Sequence, residues 1–310
     1  MAITAAMVKE LRELTGAGMM DCKKALGETD GDMDAAVEFL RKNGQAKAEK
    51  KAGRIAAEGL CRVVVDGNKA AVVEVNSETD FVAKNADFQA YVEAVANQAL
   101  QTEAADIDAF LAETWNLDTS KTVKEALTEK IAVIGENLTI RRFAKVEADN
   151  GFVVSYVHGG GRIGVIVKAE CATVNDAAKE ACTNIAMQIA ALNPKYIADE
   201  DVDAEFLAKE EEIIRAQIAN DPKESSKPEK VIEGMVKGRL NKELKEVCLL
   251  DQVYVKAEDG KQSVAKYLEQ VSKEIGTTLK IAEFVRFETG EGIEKKEENF
   301  AEEVAKQMNM

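Results

Sequence analysis

His158 is the only histidine in this 310-residue chain, and that alone removes most acid–base, nucleophilic and zinc chemistry. A Ser-His-Asp arrangement would have to use His158, and no G-x-S-x-G elbow accompanies it. The five cysteines, Cys22, Cys61, Cys171, Cys182 and Cys248, are widely spaced and form no C-x-x-C pair. They read as buried thiols of a reducing compartment rather than zinc ligands or disulfide partners. No G-x-x-x-x-G-K-[ST] segment is present to cradle phosphates. Gly159-Gly160-Gly161-Arg162-Ile163-Gly164 does satisfy G-x-G-x-x-G, but strand patterns lie on both sides of it. A dinucleotide site needs a helix after the glycines, whose N-terminus receives the pyrophosphate. The glycines therefore read as a hairpin loop, which leaves an oxidoreductase a remote reading. No catalytic residue, metal ligand or cofactor site is expected.

The informative pair is instead Asp80-Phe81, inside Asn76-Ser77-Glu78-Thr79-Asp80-Phe81-Val82-Ala83-Lys84-Asn85. An apolar strand pattern over 70–75 precedes it. An amphipathic helix is predicted from near Asp80 to Leu100, with Ser77 or Thr79 available as its cap. A Phe at such a junction ordinarily packs inward against the first helical turn. The alternative is an aromatic presented to a partner.

Composition narrows the class further. A formal net charge of −15 opposes binding to bare nucleic acid or anionic lipid, both of which require Lys/Arg to meet phosphates. No apolar run is long enough to span a bilayer. The N-terminus runs straight into an amphipathic helix without a targeting pattern. A cytosolic protein with a protein partner is the expectation.

Stepping along the chain, residues 1–55 read as three short helices and a basic linker. Thr4 caps the first helix and Asp32 the third, and Gly44 is expected to stop the third. Lys47, Lys50, Lys51 and Arg54 then form a tether, either solvated or set against an acidic partner surface. A repeat follows. The hairpin pattern at 59–75 recurs from 151, an offset of 92 (151 − 59). Ile134-Gly135-x-x-Leu138-x-Ile140-x-x-Phe143 recurs as Ile275-Gly276-x-x-Leu279-x-Ile281-x-x-Phe284, an offset of 141 (275 − 134). One copy occupies 56–147 and the other 148–193 and 241–289, with a helical hairpin inserted at 194–240. On that hairpin Phe206, Leu207, Ile213, Ile214 and Ile218 form one expected face, and a returning helix carries Val231, Ile232, Met235, Leu240 and Leu244. The face either seals the hairpin on itself or supports a homodimer. A C-terminal helix at 290–310 carries Ile293, Phe300, Val304 and Met308 along a seam.

The repeat changes the reading of Asp80-Phe81. The second copy makes the same junction as Ala169-Glu170-Cys171-Ala172-Thr173-Val174-Asn175-Asp176, without an aromatic. The fold therefore does not require Phe81. His158 falls where the first copy has Asp66, at a hairpin turn, as an exposed turn residue or a contact residue.

Leu11-Arg12-Glu13-Leu14-Thr15-Gly16-Ala17-Gly18-Met19-Met20-Asp21-Cys22-Lys23-Lys24-Ala25-Leu26 and Glu74-Val75-Asn76-Ser77-Glu78-Thr79-Asp80-Phe81-Val82-Ala83-Lys84 resemble the two signature segments of the bacterial elongation factor Ts family. The similarity runs over nearly the whole chain. It implies a guanine-nucleotide exchange factor, without active-site chemistry of its own, for elongation factor Tu, the GTPase that delivers aminoacyl-tRNA. The implied fold is α+β: an N-terminal ubiquitin-associated-like three-helix domain, a duplicated α/β core with antiparallel sheets, an inserted antiparallel coiled-coil hairpin and a C-terminal helix. The resemblance also implies roles. Asp80 and Phe81, flanked by Thr79 and Val82, enter the GTPase near its magnesium site. Lys9, Arg12, Met19, Met20 and Lys23 lie against its nucleotide-binding domain, which the terminal helix also reaches. His158 meets another of its domains. The three glycines before Arg162 depart slightly from the family pattern. The competing expectation is a non-enzymatic adaptor that binds without altering nucleotide release.

Overall fold

Six strands and eleven α-helices lie among residues 3–294, the part of the chain that this computed structural model describes. Phe300, Val304 and Met308 of the predicted terminal helix lie outside the described residues. In chain order the elements are α1 (Ala5–Thr15), α2 (Met19–Glu28), α3 (Met33–Lys51), β1 (Glu58–Asp66), β2 (Lys69–Ser77), α4 (Asp80–Ala83), α5 (Ala86–Gln101), α6 (Ile107–Ala112), α7 (Val123–Ile134) and β3 (Thr139–Glu147). They continue as β4 (Gly151–His158), β5 (Ile163–Cys171), α8 (Asp176–Leu192), α9 (Ala204–Asn220), α10 (Glu229–Val247), α11 (Val264–Ile275) and β6 (Leu279–Glu288). The class is α+β.

The strands form two antiparallel three-stranded sheets, β1-β2-β3 and β4-β5-β6. Alternation along β2 explains their stacking. Ala71, Val73 and Val75 face α5, where Phe88, Val92 and Val95 are fully buried. Ala70 and Val72 face the other way, onto Val153 and Ile166 of the second sheet. In the second sheet Val165 and Val167 point outward to Cys182, Ile185 and Ile189 of α8. The order of layers is helix, sheet, sheet, helix, so β2 is buried on both faces from Ala70 to Ser77.

The repeat extends to a polar device. Gln98 on α5 and Gln188 on α8 are both buried. The Gln98 amide oxygen accepts the Asn116 N–H at 2.9 Å, and its nitrogen donates to the Thr114 carbonyl at 3.2 Å. Gln188 does the same with Val255 N–H at 2.7 Å and the Val253 carbonyl at 3.0 Å. Each glutamine thus holds the loop leading into α7 or α11, and each of those helices ends on a left-handed glycine, Gly135 or Gly276.

Two helix expectations are corrected. The helix predicted from Asp80 to Leu100 is two helices. Asn85 is extended (φ −72°, ψ 132°), and its side-chain oxygen accepts the N–H groups of Asp87 and Phe88, so the chain restarts at a new cap. Conversely α3 does not stop at Gly44 but continues to Lys51. Gly44 is buried against α7, where an added Cβ would stand 3.3 Å from the Ala132 Cβ. Its lack of a side chain permits close helix packing, which outweighs the usual helix-breaking cost of about 1 kcal/mol. Lys47, Lys50 and Lys51 of the basic tether are consequently in the last turns of α3, with Arg54 beyond its end, and Lys47 pairs with Asp21 at 2.9 Å.

The first three helices share a core of Val8, Leu11, Cys22, Ala25, Leu26 and Ala36. Thr4 caps α1 and Asp32 caps α3. The inserted helices α9 and α10 pack through Ile214, Ile218 and Val236. Ile213 does not share that face; it is one step, about 100°, around the helix and 39% exposed. Among the described residues no helix is long and apolar enough to cross a membrane.

Candidate functional site

The candidate site begins where β2 leaves the sheet. Thr79 has extended backbone, and its Oγ1 accepts the Val82 N–H at 3.3 Å, capping the single turn α4. Ser77 instead donates its hydroxyl to the Thr79 carbonyl at 3.0 Å. Val82 turns inward onto the α5 core and Ala83 is buried. Phe81 turns outward: 81% of it is exposed, more than any other large apolar side chain among the described residues. The inward staple is therefore not what forms. Asp80 is also exposed and lies 2.6 Å from Lys84, whose hydrogen bond and charge hold its carboxyl below the ordinary value. An ionised acid and a bare aromatic thus stand together on a capped turn.

The junction is tied to the loop after α7. The Glu136 carboxylate accepts the N–H groups of Glu78 and Thr79, each at 3.0 Å, and the Thr79 hydroxyl at 2.6 Å. In return Glu78 accepts the Asn137 N–H at 2.6 Å. The Asn137 side chain donates to the Arg54 carbonyl at 2.8 Å, which brings the end of the basic stretch to the same place. Sequence reading passed over Glu136 and Asn137, because they fill the variable positions of the repeated Ile-Gly-x-x-Leu pattern. The signal was their contrast with Thr277 and Thr278.

The other predicted residues fall in two further places. Lys9, Arg12, Met19, Met20 and Lys23 are all exposed on the first two helices, with Met20 at 75% and Leu14 beside them at 66%. Lys9 makes only a solvent-exposed pair with Glu13 at 3.6 Å. His158 ends β4, exposed, with Nδ1 3.0 Å from the Tyr156 hydroxyl. The loop after it is a hairpin, as expected, and packs on β1: the Cys61 N–H donates to the Gly161 carbonyl at 2.6 Å. A Cβ on Gly161 would lie 2.7 Å from Leu60, and its φ is +105°, so glycine is required.

Two polar clusters were not anticipated. Glu74, fully buried in β2, meets Arg141 at 3.1 Å and Arg142 at 2.5 Å and accepts the Gly290 N–H at 2.8 Å and the Asn76 amide at 3.0 Å. Burial would raise its pKa, but these donors outweigh burial and hold it below the ordinary value. Glu291 then bridges Arg142 at 3.1 Å and Arg286 at 3.7 Å, joining the two sheets. Elsewhere the fold brings Cys248 beside Asp199 and Asp251. Burial and the neighbouring carboxylates push the Cys248 thiol up to about 12 and raise the Asp251 carboxyl above its ordinary value.

What the geometry offers is display: an apolar wedge and a carboxylate on a fixed turn, an apolar and basic face on the first helices, and an imidazole at a hairpin end. The sequence model of the family described as Elongation factor TS matches residues 78–291. The chain is 55% identical over 309 residues to "Elongation factor Ts" of Clostridium novyi (strain NT), covering 99% of both chains. It is 53% identical over 308 residues to "Elongation factor Ts" of Clostridium botulinum (strain Eklund 17B / Type B), again covering 99% of each. It is 54% identical over 306 residues to that of Clostridium perfringens (strain ATCC 13124), covering 98% of each. The chain belongs to the elongation factor Ts family.

Proposed function

We propose that this translation elongation factor binds elongation factor Tu carrying GDP and speeds GDP release by inserting Asp80-Phe81 beside the magnesium and nucleotide site. The observation that carries the reading is the 81% exposure of Phe81 on a fully capped turn. Burying that ring in a pocket that opens when the nucleotide site distorts would contribute about 1.5–3 kcal/mol. Asp80, held ionised by Lys84, would disturb the electrostatics around a bound Mg²⁺. The factor needs no chemistry of its own. By reciprocity, whatever its binding costs GDP, GDP costs the factor, so a transient ternary complex releases either one.

The three-helix unit, read as ubiquitin-associated-like, presents Lys9, Arg12, Met19, Met20 and Lys23 to the nucleotide-binding domain, and His158 contacts a second domain. The α9–α10 hairpin is read as a coiled coil. The test is stopped-flow release of a fluorescent GDP analogue from elongation factor Tu. Strong acceleration by this protein supports the reading. Binding without acceleration would make it an adaptor instead.

A further inference from the structure

Glu136 belongs to no expected contact surface, yet it makes more hydrogen bonds to the 78–79 backbone than any other side chain. Its Oε2 takes both N–H groups and its Oε1 takes the Thr79 hydroxyl. The Thr79 hydroxyl can then accept from the Val82 N–H only through its remaining lone pairs, which fixes its proton toward Glu136. One carboxylate thus sets the start of the turn, and through the Thr79 hydroxyl it orients the cap on Val82. That carboxylate sits immediately after the left-handed Gly135 that ends α7, a position fixed by the core rather than by the loop.

The internal repeat supplies a control within the same molecule. The register slip falls at Glu74 in β2 and at Lys168 in β5, an offset of 94 (168 − 74). The helix caps Asn85 and Asn175 are only 90 apart (175 − 85). The first copy therefore carries four additional residues between strand and helix, and α4 is four residues long. At the positions of Glu136 and Asn137 the second copy has Thr277 and Thr278, offset by 141 (277 − 136). Among the described residues no hydrogen bond joins those threonine side chains to residues 172–175. The added turn and the added carboxylate occur together or not at all.

We infer that Glu136 is a positioning residue for the Asp80-Phe81 turn: it orders the turn before the partner arrives, so that no ordering cost is met when Phe81 enters its pocket. This rests on the exchange-factor reading. Preorganisation of this kind acts on the step at which the wedge is used and leaves the other contacts, on the first helices and at His158, untouched.

The test measures maximal GDP release rate and half-saturating factor concentration for wild type, Glu136→Ala, Glu136→Gln and Phe81→Ala, and for Glu136→Ala combined with Phe81→Ala. Glu136→Ala should lower the maximal rate about tenfold, the size expected from losing charge-assisted bonds, with the half-saturating concentration unchanged. Glu136→Gln, which keeps one acceptor for the backbone N–H groups, should fall between. In the Phe81→Ala background Glu136→Ala should have a clearly smaller effect, limited to what Asp80 contributes. An equal loss in both backgrounds would mean a general structural role, and no loss in either would mean none; each overturns the proposal. Amide hydrogen exchange at Glu78 and Thr79 in the free protein should quicken in Glu136→Ala while α5 amides keep their protection. Unchanged protection there would overturn the proposal without any exchange assay. If wild type itself fails to accelerate release, the function falls and the positioning role with it, whereas quickened amide exchange would still establish the hydrogen bonds.

Discussion

The two strand-to-helix junctions, one after β2 and one after β5, are built on the same scaffold and carry different contents. Both follow the middle strand of a three-stranded antiparallel sheet, both lead to a helix capped by asparagine, and both helices carry a buried glutamine that clamps a distant loop. Only the first has the extra turn, the exposed Phe81 and the Glu136 tie. The second closes with three residues between Cys171 and Asn175 and a Cys171 thiol bonded to the Thr173 carbonyl at 3.1 Å. What the copies share is what folding needs. What they do not share is where function is to be sought.

The same contrast holds across the sheets. Glu74 faces Arg142, and at the matching register Lys168 faces Glu283 with the charges reversed. Glu74 is fully buried, whereas the Lys168–Glu283 pair is 4.0 Å apart and partly exposed. The largest expected effect therefore comes from Glu74→Gln, which leaves Arg141 without its carboxylate and Arg142 with Glu291 alone, and should cost about 3–5 kcal/mol in denaturant unfolding. Lys168→Ala should cost no more than about 1 kcal/mol. The pH dependence has a definite sign. Because Glu74 is depressed in the folded state, its contribution is complete above the ordinary value of 4.5 and is lost as pH falls through the lower folded value. Wild type should accordingly lose stability toward acid more steeply than Glu74→Gln. Parallel acid limbs would show that Glu74 is not the group responsible.

Next in size are the shared clamps. Gln98→Leu and Gln188→Leu each strand a backbone N–H, of Asn116 or Val255. Each should cost about 1–3 kcal/mol, read as a drop in thermal midpoint. A near-neutral result at one and not the other would break the claim that the copies share a scaffold.

Much of this was legible in the sequence for reasons tied to particular residues. The hairpins and the repeated Ile134-Gly135 and Ile275-Gly276 endings follow from local pattern and repeat. Gly44 was not legible, because its meaning depends on Ala132, 88 residues away (132 − 44). Asn85 was not read as a cap, because the apolar period runs straight through it. At the site, the repeat singled out Phe81 by its absence from the second copy. It did not reveal Glu136, whose role exists only once the loop after α7 lies against the residues that follow β2. Gln98 and Gln188 were visible as repeated residues, but their clamping was not, since their partners are backbone groups that carry no sequence signal.

The smallest expected effect on stability is also the most telling. Phe81 makes no buried contact, so Phe81→Ala should leave unfolding free energy within about 0.5 kcal/mol of wild type. The direct test pairs that measurement with stopped-flow release of a fluorescent GDP analogue from elongation factor Tu. The account predicts that wild type accelerates release strongly and that the equally stable Phe81→Ala protein loses at least about tenfold of it, the equivalent of 1.5–3 kcal/mol of ring burial. Full acceleration by a folded Phe81→Ala protein would contradict it.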